Sequence, residues 1–146
     1  MHLQSSIQVN HPIEKVLQFF YEPTSLAKWD RSVAEMIPIS NDGTKEGATF
    51  QTIAPSGMKM DYEVIEMTNE RDVKILLKNS KMFKKAVWQF QFDPAGDGTN
   101  VTCHIYFSLR PLYFFLYPVL FVTKKALLRD LNFFKDALTE RFKNEE

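Results

Sequence analysis

The sequence is poor in most of what would advertise chemistry. Its 146 residues include one cysteine, Cys103, and three histidines, His2, His11 and His104. A single thiol cannot form an intramolecular disulfide, and its place in an alternating strand pattern suits a small core residue better than a nucleophile. Three scattered histidines offer neither a metal trio nor a His-paired nucleophile, so no metal and no cofactor are expected. Neither sign of charge is in excess, with 18 Lys and Arg against 18 Asp and Glu. The positive field that favours nucleic acid is therefore missing, as are a glycine-rich phosphate loop and a basic stripe with interleaved aromatics. No nucleic-acid partner is expected. A basic then apolar leader is also lacking, which argues against a secretory signal, and a reducing cytoplasmic setting suits the lone thiol. The longest apolar run, Leu112 to Val122, has 11 residues and contains Pro118, well short of the roughly 20 that a spanning helix needs. With no repeat, low-complexity tract or linker, residues 1–146 read as one domain, long enough to bury a core unaided.

What the chain does have is aromatic: 13 Phe, 5 Tyr and 2 Trp, with 6 Met. That mixture suits a well-filled core or an adaptable apolar pocket. The clearest pattern runs from Lys84 to Leu109. Ala86, Trp88, Phe90 and Phe92 alternate with Lys85, Gln89 and Gln91; then, past a turn at Asp93-Pro94-Ala95-Gly96-Asp97-Gly98, Val101, Cys103, Ile105, Phe107 and Leu109 alternate with polar neighbours. This two-residue period predicts a long hairpin in a half-buried antiparallel sheet. Shorter strands are predicted over Leu3–Val9, Val33–Ile39, Ala48–Ile53, Met58–Met67 and from Val73, with turns at Asn41-Asp42-Gly43, Pro55-Ser56-Gly57 and Asn69-Glu70. Pro12 opens a helix whose stripe is Ile13, Val16, Leu17 and Phe20, and Glu22-Pro23 stops it. A short second helix ends at Trp29. After Leu109 the period becomes helical: Leu120, Leu127, Leu131, Phe134, Leu138 and Phe142 form an apolar stripe, and Lys125, Arg129, Asp130 and Lys135 are assigned to the polar side. A stripe that wide needs an apolar sheet opposite it.

The order β-α-α-β6-α, the opening Ile7-Gln8-Val9-Asn10-His11-Pro12-Ile13-Glu14-Lys15-Val16, Trp29, the strand beginning Gly47 to Phe50, Gly98-Thr99-Asn100-Val101-Thr102 and the long final helix resemble the START-like helix-grip superfamily (SRPBCC). Within it the chain looks most like the polyketide cyclase/dehydrase and lipid-transport branch, a sibling of the plant pollen-allergen proteins. The resemblance spans essentially the whole chain and rests on turn and packing residues rather than a catalytic signature. It implies an α+β fold, a curved seven-stranded antiparallel sheet wrapped around a C-terminal helix, and a cavity for lipids, sterols, polyketides or quinones. Fold does not fix activity, so function has to come from the site.

Projecting the strand faces inward gives an expected ligand-binding lining of Phe50, Met58, Met60, Tyr62, Ile75, Leu77, Trp88, Phe90, Ile105 and Phe107, closed by Leu127 and Leu131. The same stripe would serve equally as plain core. Trp29 is expected near the cavity mouth, as plug or ligand contact. The segment LYFFLYPVLF, residues 112–121, is too apolar all round to be an ordinary surface helix. Tyr113, Tyr117 and Phe121 are expected to gate the cavity or to touch a membrane surface, with Lys124 and Lys125 available for head groups, unless they are core. For chemistry, Glu35 shares strand phase with Val33 and Ile37 and is the one mid-strand carboxylate expected to face inward, with Tyr62 as its hydroxyl partner; a rim glutamate facing water is the plainer reading. Three functions remain open: a hydrophobic-ligand binder or carrier, a polyketide cyclase or dehydratase-like enzyme, and a protein-interaction module.

Overall fold

The computed structural model describes residues 1–39, 45–120 and 123–143. The chain runs β1 (His2–Val9), α1 (Ile13–Phe20), α2 (Leu26–Trp29), β2 (Glu35–Pro38), β3 (Thr49–Ile53), β4 (Lys59–Thr68), β5 (Asp72–Lys78), β6 (Phe83–Ala95), β7 (Gly98–Leu109), a 3-10 helix (Pro111–Leu116), α3 (Tyr117–Leu120) and α4 (Thr123–Arg141). The predicted turn at Asn41-Asp42-Gly43 and the predicted site residue Phe121 lie outside the described residues. All seven strands join one curved antiparallel sheet in the order β1-β7-β6-β5-β4-β3-β2, which leaves β1 and β2 as edges. The long C-terminal helix is α4, 19 residues from Thr123 to Arg141, and it is preceded by the 3-10 turn that Pro111 opens and by the short α3.

The hairpin follows its alternation. Residues Ala86, Phe90 and Phe92 on β6 and Val101, Cys103, Ile105, Phe107 and Leu109 on β7 are buried. The ladder closes at Ala95 opposite Gly98, leaving Gly96 and Asp97 as the turn; Gly96 sits at φ +62°, a left-handed conformation that glycine adopts without strain. Gly98 is needed for another reason, because a Cβ there would run into the Val9 carbonyl oxygen. Next to it the buried Thr99 hydroxyl donates to the His11 carbonyl at 2.9 Å, tying the hairpin to the β1–α1 connection.

Helix α1 begins one residue later than its proline suggests. Pro12 is the N-cap, and its carbonyl accepts from the Lys15 and Val16 N–H groups. The buried stripe is Ile13, Val16 and Phe19, with Leu17 and Phe20 only half-buried, so the helix is rolled toward Phe19 relative to the predicted face. On α4, Leu127, Leu131, Phe134 and Leu138, with Phe142 just beyond, are buried against the sheet and α1. Side chains of that kind stabilise a fold by about 1.5 to 3 kcal/mol each when fully buried. The far ends of α1 and α4 are joined by Arg141, whose guanidinium lies 3.1 Å from the Glu22 carboxylate. A bulge between Val64 and Glu66 breaks the β4–β5 register and turns Ile65 outward, and such bulges bend the strand that carries them.

Candidate functional site

The inner face of the sheet has two halves. On one side Leu3 and Val9 of β1, Val101, Cys103, Ile105, Phe107 and Leu109 of β7 and Phe90 and Phe92 of β6 are buried. Toward β3, β4 and β5, the residues on the same face, Phe50, Met60, Tyr62, Ile75 and Leu77, with Trp88 on β6, are only half-buried. Strand pairing sets them side by side: Phe50 is opposite Tyr62, Tyr62 opposite Leu77, and Ile75 opposite Trp88. The Phe50 and Tyr62 rings stack at 5.1 Å, and Tyr62 meets Trp88 edge to face at 5.9 Å. This aromatic row crosses four strands and is incompletely covered.

At one end of the row lies a cavity of about 120 Å³. Phe20, Trp29, Met36, Phe50, Ile75 and Phe90 are among its walls, and Val64 and Val73 lie among the rest. The Trp29 indole is wedged edge-on against Phe90 at 6.1 Å and Phe134 at 5.4 Å. Its buried Nε1 has no hydrogen-bond partner among the described residues, a costly arrangement for an N–H donor.

Polar groups gather where α2 meets α4. Burial pushes the Tyr62 hydroxyl pKa upward; a hydrogen bond with Thr52 opposes this, and the charge of Asp30 adds to it. The Tyr62 hydroxyl also lies 3.8 Å from the Met60 sulfur. Asp30 accepts from the Ser32 N–H at 2.9 Å and the Ser32 hydroxyl at 2.6 Å. Across from it Asp130 on α4 is raised above the usual aspartate range, first by desolvation and then by the charge of Asp30, against the weaker pull of Arg129 and Arg31. Desolvation, with smaller contributions from Asp130 and Asp30, also raises the buried Cys103 thiol, so no thiolate nucleophile is available. Among the described residues, no group of three or more His, Cys, Asp or Glu side chains is arranged to hold a metal.

The expected site residues thus separate. Trp29, Phe50, Ile75 and Phe90 line the cavity, and Met60, Tyr62, Leu77 and Trp88 form the half-open row. Ile105, Phe107, Leu127 and Leu131 are buried in the hydrophobic core and are not among the walls of this cavity. Met58 lies between the Pro55–Gly57 turn and the start of β4 at Lys59, and is 61% exposed. Glu35 is exposed on the outer face. Its strand phase differs from the expected one because residues 30–33 form a turn, with the Val33 N–H on the Asp30 carbonyl; inner positions on β2 therefore fall to Met36 and Pro38. Tyr113 and Tyr117 lie outside the walls of the cavity. Tyr117 instead stacks on Phe107 and accepts the Leu109 N–H through its hydroxyl at 3.0 Å. Asp130 and Phe20 were assigned elsewhere by sequence, although Asp130 stands three residues after Leu127 and four before Phe134, at the flank of the buried stripe.

A curved antiparallel sheet closed on a C-terminal helix, with an aromatic interior left open at one end, is the architecture of a START-like helix-grip domain. The family model described as polyketide cyclase / dehydrase and lipid transport matches residues 1–142, and the chain belongs to that family. Solved structures share the fold at low identity. A Mesorhizobium loti protein superposes with a TM-score of 0.75 at 17% identity, covering 96% of this chain and 98% of its own. A START superfamily protein from Mycobacterium smegmatis gives 0.72 at 16%, covering 99% of both chains. A norcoclaurine synthase point mutant from Thalictrum flavum, solved with a transition-state analogue, gives 0.73 at 12%, covering 97% and 95%. No curated protein matches the sequence significantly. Among the described residues, no single helix is long and apolar enough to cross a membrane.

Proposed function

We propose that this protein binds and carries a hydrophobic small molecule, of lipid, polyketide, quinone or sterol type, along the half-open end of its inner sheet face. The observation that carries this reading is the row Phe50, Tyr62 and Trp88 leading into the cavity beside Trp29. The cavity, at about 120 Å³, has room for little more than a single ring or a short chain, so a larger ligand would place one end there and lay its body along the aromatic row. Apolar walls with few polar groups are the usual character of such sites. A reducing cytoplasm suits the single buried thiol. Organic extraction of the purified protein followed by mass spectrometry tests the proposal. A stoichiometric apolar compound supports it; a protein that is empty as isolated and fails to quench its tryptophan fluorescence with any apolar ligand class refutes it.

A second reading, cyclase or dehydratase chemistry, is favoured by Asp130. Asp130 is a half-buried carboxyl whose pKa is raised first by desolvation and then by the charge of Asp30, the direction of shift that a general acid needs. In that role Asp130 would give its proton to a leaving hydroxyl and Asp30 would keep that proton bound until needed. Loss of turnover in Asp130→Asn with ligand affinity retained would support the enzyme; unchanged turnover would remove its acid.

A further inference from the structure

We propose that the end of the molecule formed by residues 111–119 and the β5–β6 turn docks on an anionic lipid bilayer. This goes beyond the binding of a small molecule and stands or falls separately from it. Leu112 is 78% exposed, Phe115 71%, Val119 63% and Phe114 51%. One exposed apolar side chain is ordinary; four large ones within eight residues make a patch that needs a partner. The segment presenting them is tied down. Tyr117 packs on Phe107 and accepts the Leu109 N–H, and the Tyr113 N–H bonds to the Arg110 carbonyl. Arg110 in turn donates its own N–H to Met82 and its guanidinium to the Ser80 carbonyl, which holds the β5–β6 turn alongside.

Charge selects the partner. Lys81, Lys84, Lys85, Lys124 and Lys125 are exposed and have no carboxylate partner among the described residues. Lys84 and Lys85 border the same surface depression as Phe114 and Tyr117. In a chain with equal numbers of acids and bases, residues 73–92 and 98–129 contain no Asp or Glu at all. Lys74 and Lys78 in the first stretch pair with Glu66 and Glu63 of β4, which leaves the lysines at 81, 84, 85, 124 and 125 to set the local charge. A second copy of the chain would bring cation against cation, and a nucleic acid would use the lysines but leave four apolar side chains in water. An anionic membrane satisfies both, with lysines at the head groups and Phe114 and Phe115 beneath them. Ten residues from Pro111 to Leu120 are too few to span, so the segment lies in the interface plane.

The test is co-sedimentation of the full chain with vesicles of phosphatidylcholine alone or mixed with phosphatidylglycerol. Wild type is expected on the mixed vesicles, with binding weakened by salt. Both Phe114→Ser/Phe115→Ser and Lys84→Glu/Lys85→Glu should lose about tenfold or more in partitioning, the scale of removing two interfacial anchors or reversing two surface cations. Equal binding to both vesicle types, no binding, or unchanged binding by the two variants overturns the proposal, as does a self-association that removes the protein from vesicles. Should a variant fail to fold, hydrogen exchange of wild type decides: slowing confined to residues 111–120 on adding mixed vesicles supports docking, and unaltered exchange there refutes it.

Discussion

The two halves of one sheet face obey the same alternation and end in different states. On β7, Cys103, Ile105 and Phe107 are buried under α4. On β3, β4 and β5 the equivalent inward positions Phe50, Tyr62 and Leu77 are half-exposed. The strand pattern chooses the face; the reach of the helix decides whether that face is core or lining. Helix α4 lies against β1 and α2, and its Phe134 meets Phe19, Phe20 and Trp29. An apolar stripe in a helix-grip protein therefore needs the position of the helix before it can be assigned to a ligand.

The largest expected effect breaks or upholds this comparison through stability. Phe134→Ala should destabilise the protein by about 3 to 5 kcal/mol, the usual range for removing a buried aromatic ring, because Phe134 is 2% exposed and touched by Phe19 and Trp29. Trp88→Ala, on the open half, should cost less than about 2 kcal/mol. Urea unfolding of both variants measures the difference. Equal losses would mean that the two halves are one core.

A second, smaller effect should appear in binding. Removing the Trp88 or Phe50 ring is expected to weaken retention of the endogenous ligand by about tenfold, as loss of one well-stacked ring contributes roughly 1.4 kcal/mol. Ile105→Val, which trims a buried side chain on the covered half, should leave affinity unchanged while costing about 0.5 to 1.5 kcal/mol of stability. Titration against tryptophan fluorescence, or competition with an apolar dye for Trp88→Ala, separates these outcomes.

How much of this was legible in the sequence depended on whether a local pattern ran uninterrupted. The β6–β7 hairpin was readable because alternation is continuous on both sides of its turn, but the turn expected over Asp93 to Gly98 shrinks to Gly96 and Asp97, since the strands stay paired as far as Ala95 and Gly98. Glu35 faces water, as the plainer reading had it; the inward alternative fails because the Asp30–Val33 turn resets the phase, and a turn between two apolar residues leaves no trace in their spacing. On α1 the neighbouring rings Phe19 and Phe20 fit the stripe almost equally well, and only packing shows Phe19 sealed and Phe20 facing the cavity. Nothing in the run LYFFLYPVLF told which rings would turn to solvent, since that follows from Tyr117 being held by β7. Asp130 was assigned to the polar side by its identity, although its spacing from Leu127 and Phe134 already placed it at the seam.

That seam yields the smallest effect and the sharpest test of where one half ends. The Asp130 carboxyl is raised by desolvation first and by Asp30 second, and its side chain retains 28% exposure. A carboxyl whose pKa is higher folded than unfolded holds its proton more tightly in the folded state. Its favourable contribution is thus fully present below the ordinary value of 3.8 and is lost as pH rises through the raised folded value. Above the ordinary value the raised pKa of Asp130 therefore costs the fold stability. Asp130→Asn should raise the melting temperature modestly at pH 7, and the gain should shrink toward zero as the pH falls below about 4, where the native carboxyl is also neutral. Asp136→Asn, on the exposed side of the same helix, controls for loss of an acid in general. A gain of equal size at both positions, or one independent of pH, would move Asp130 out of the seam and into ordinary solvent.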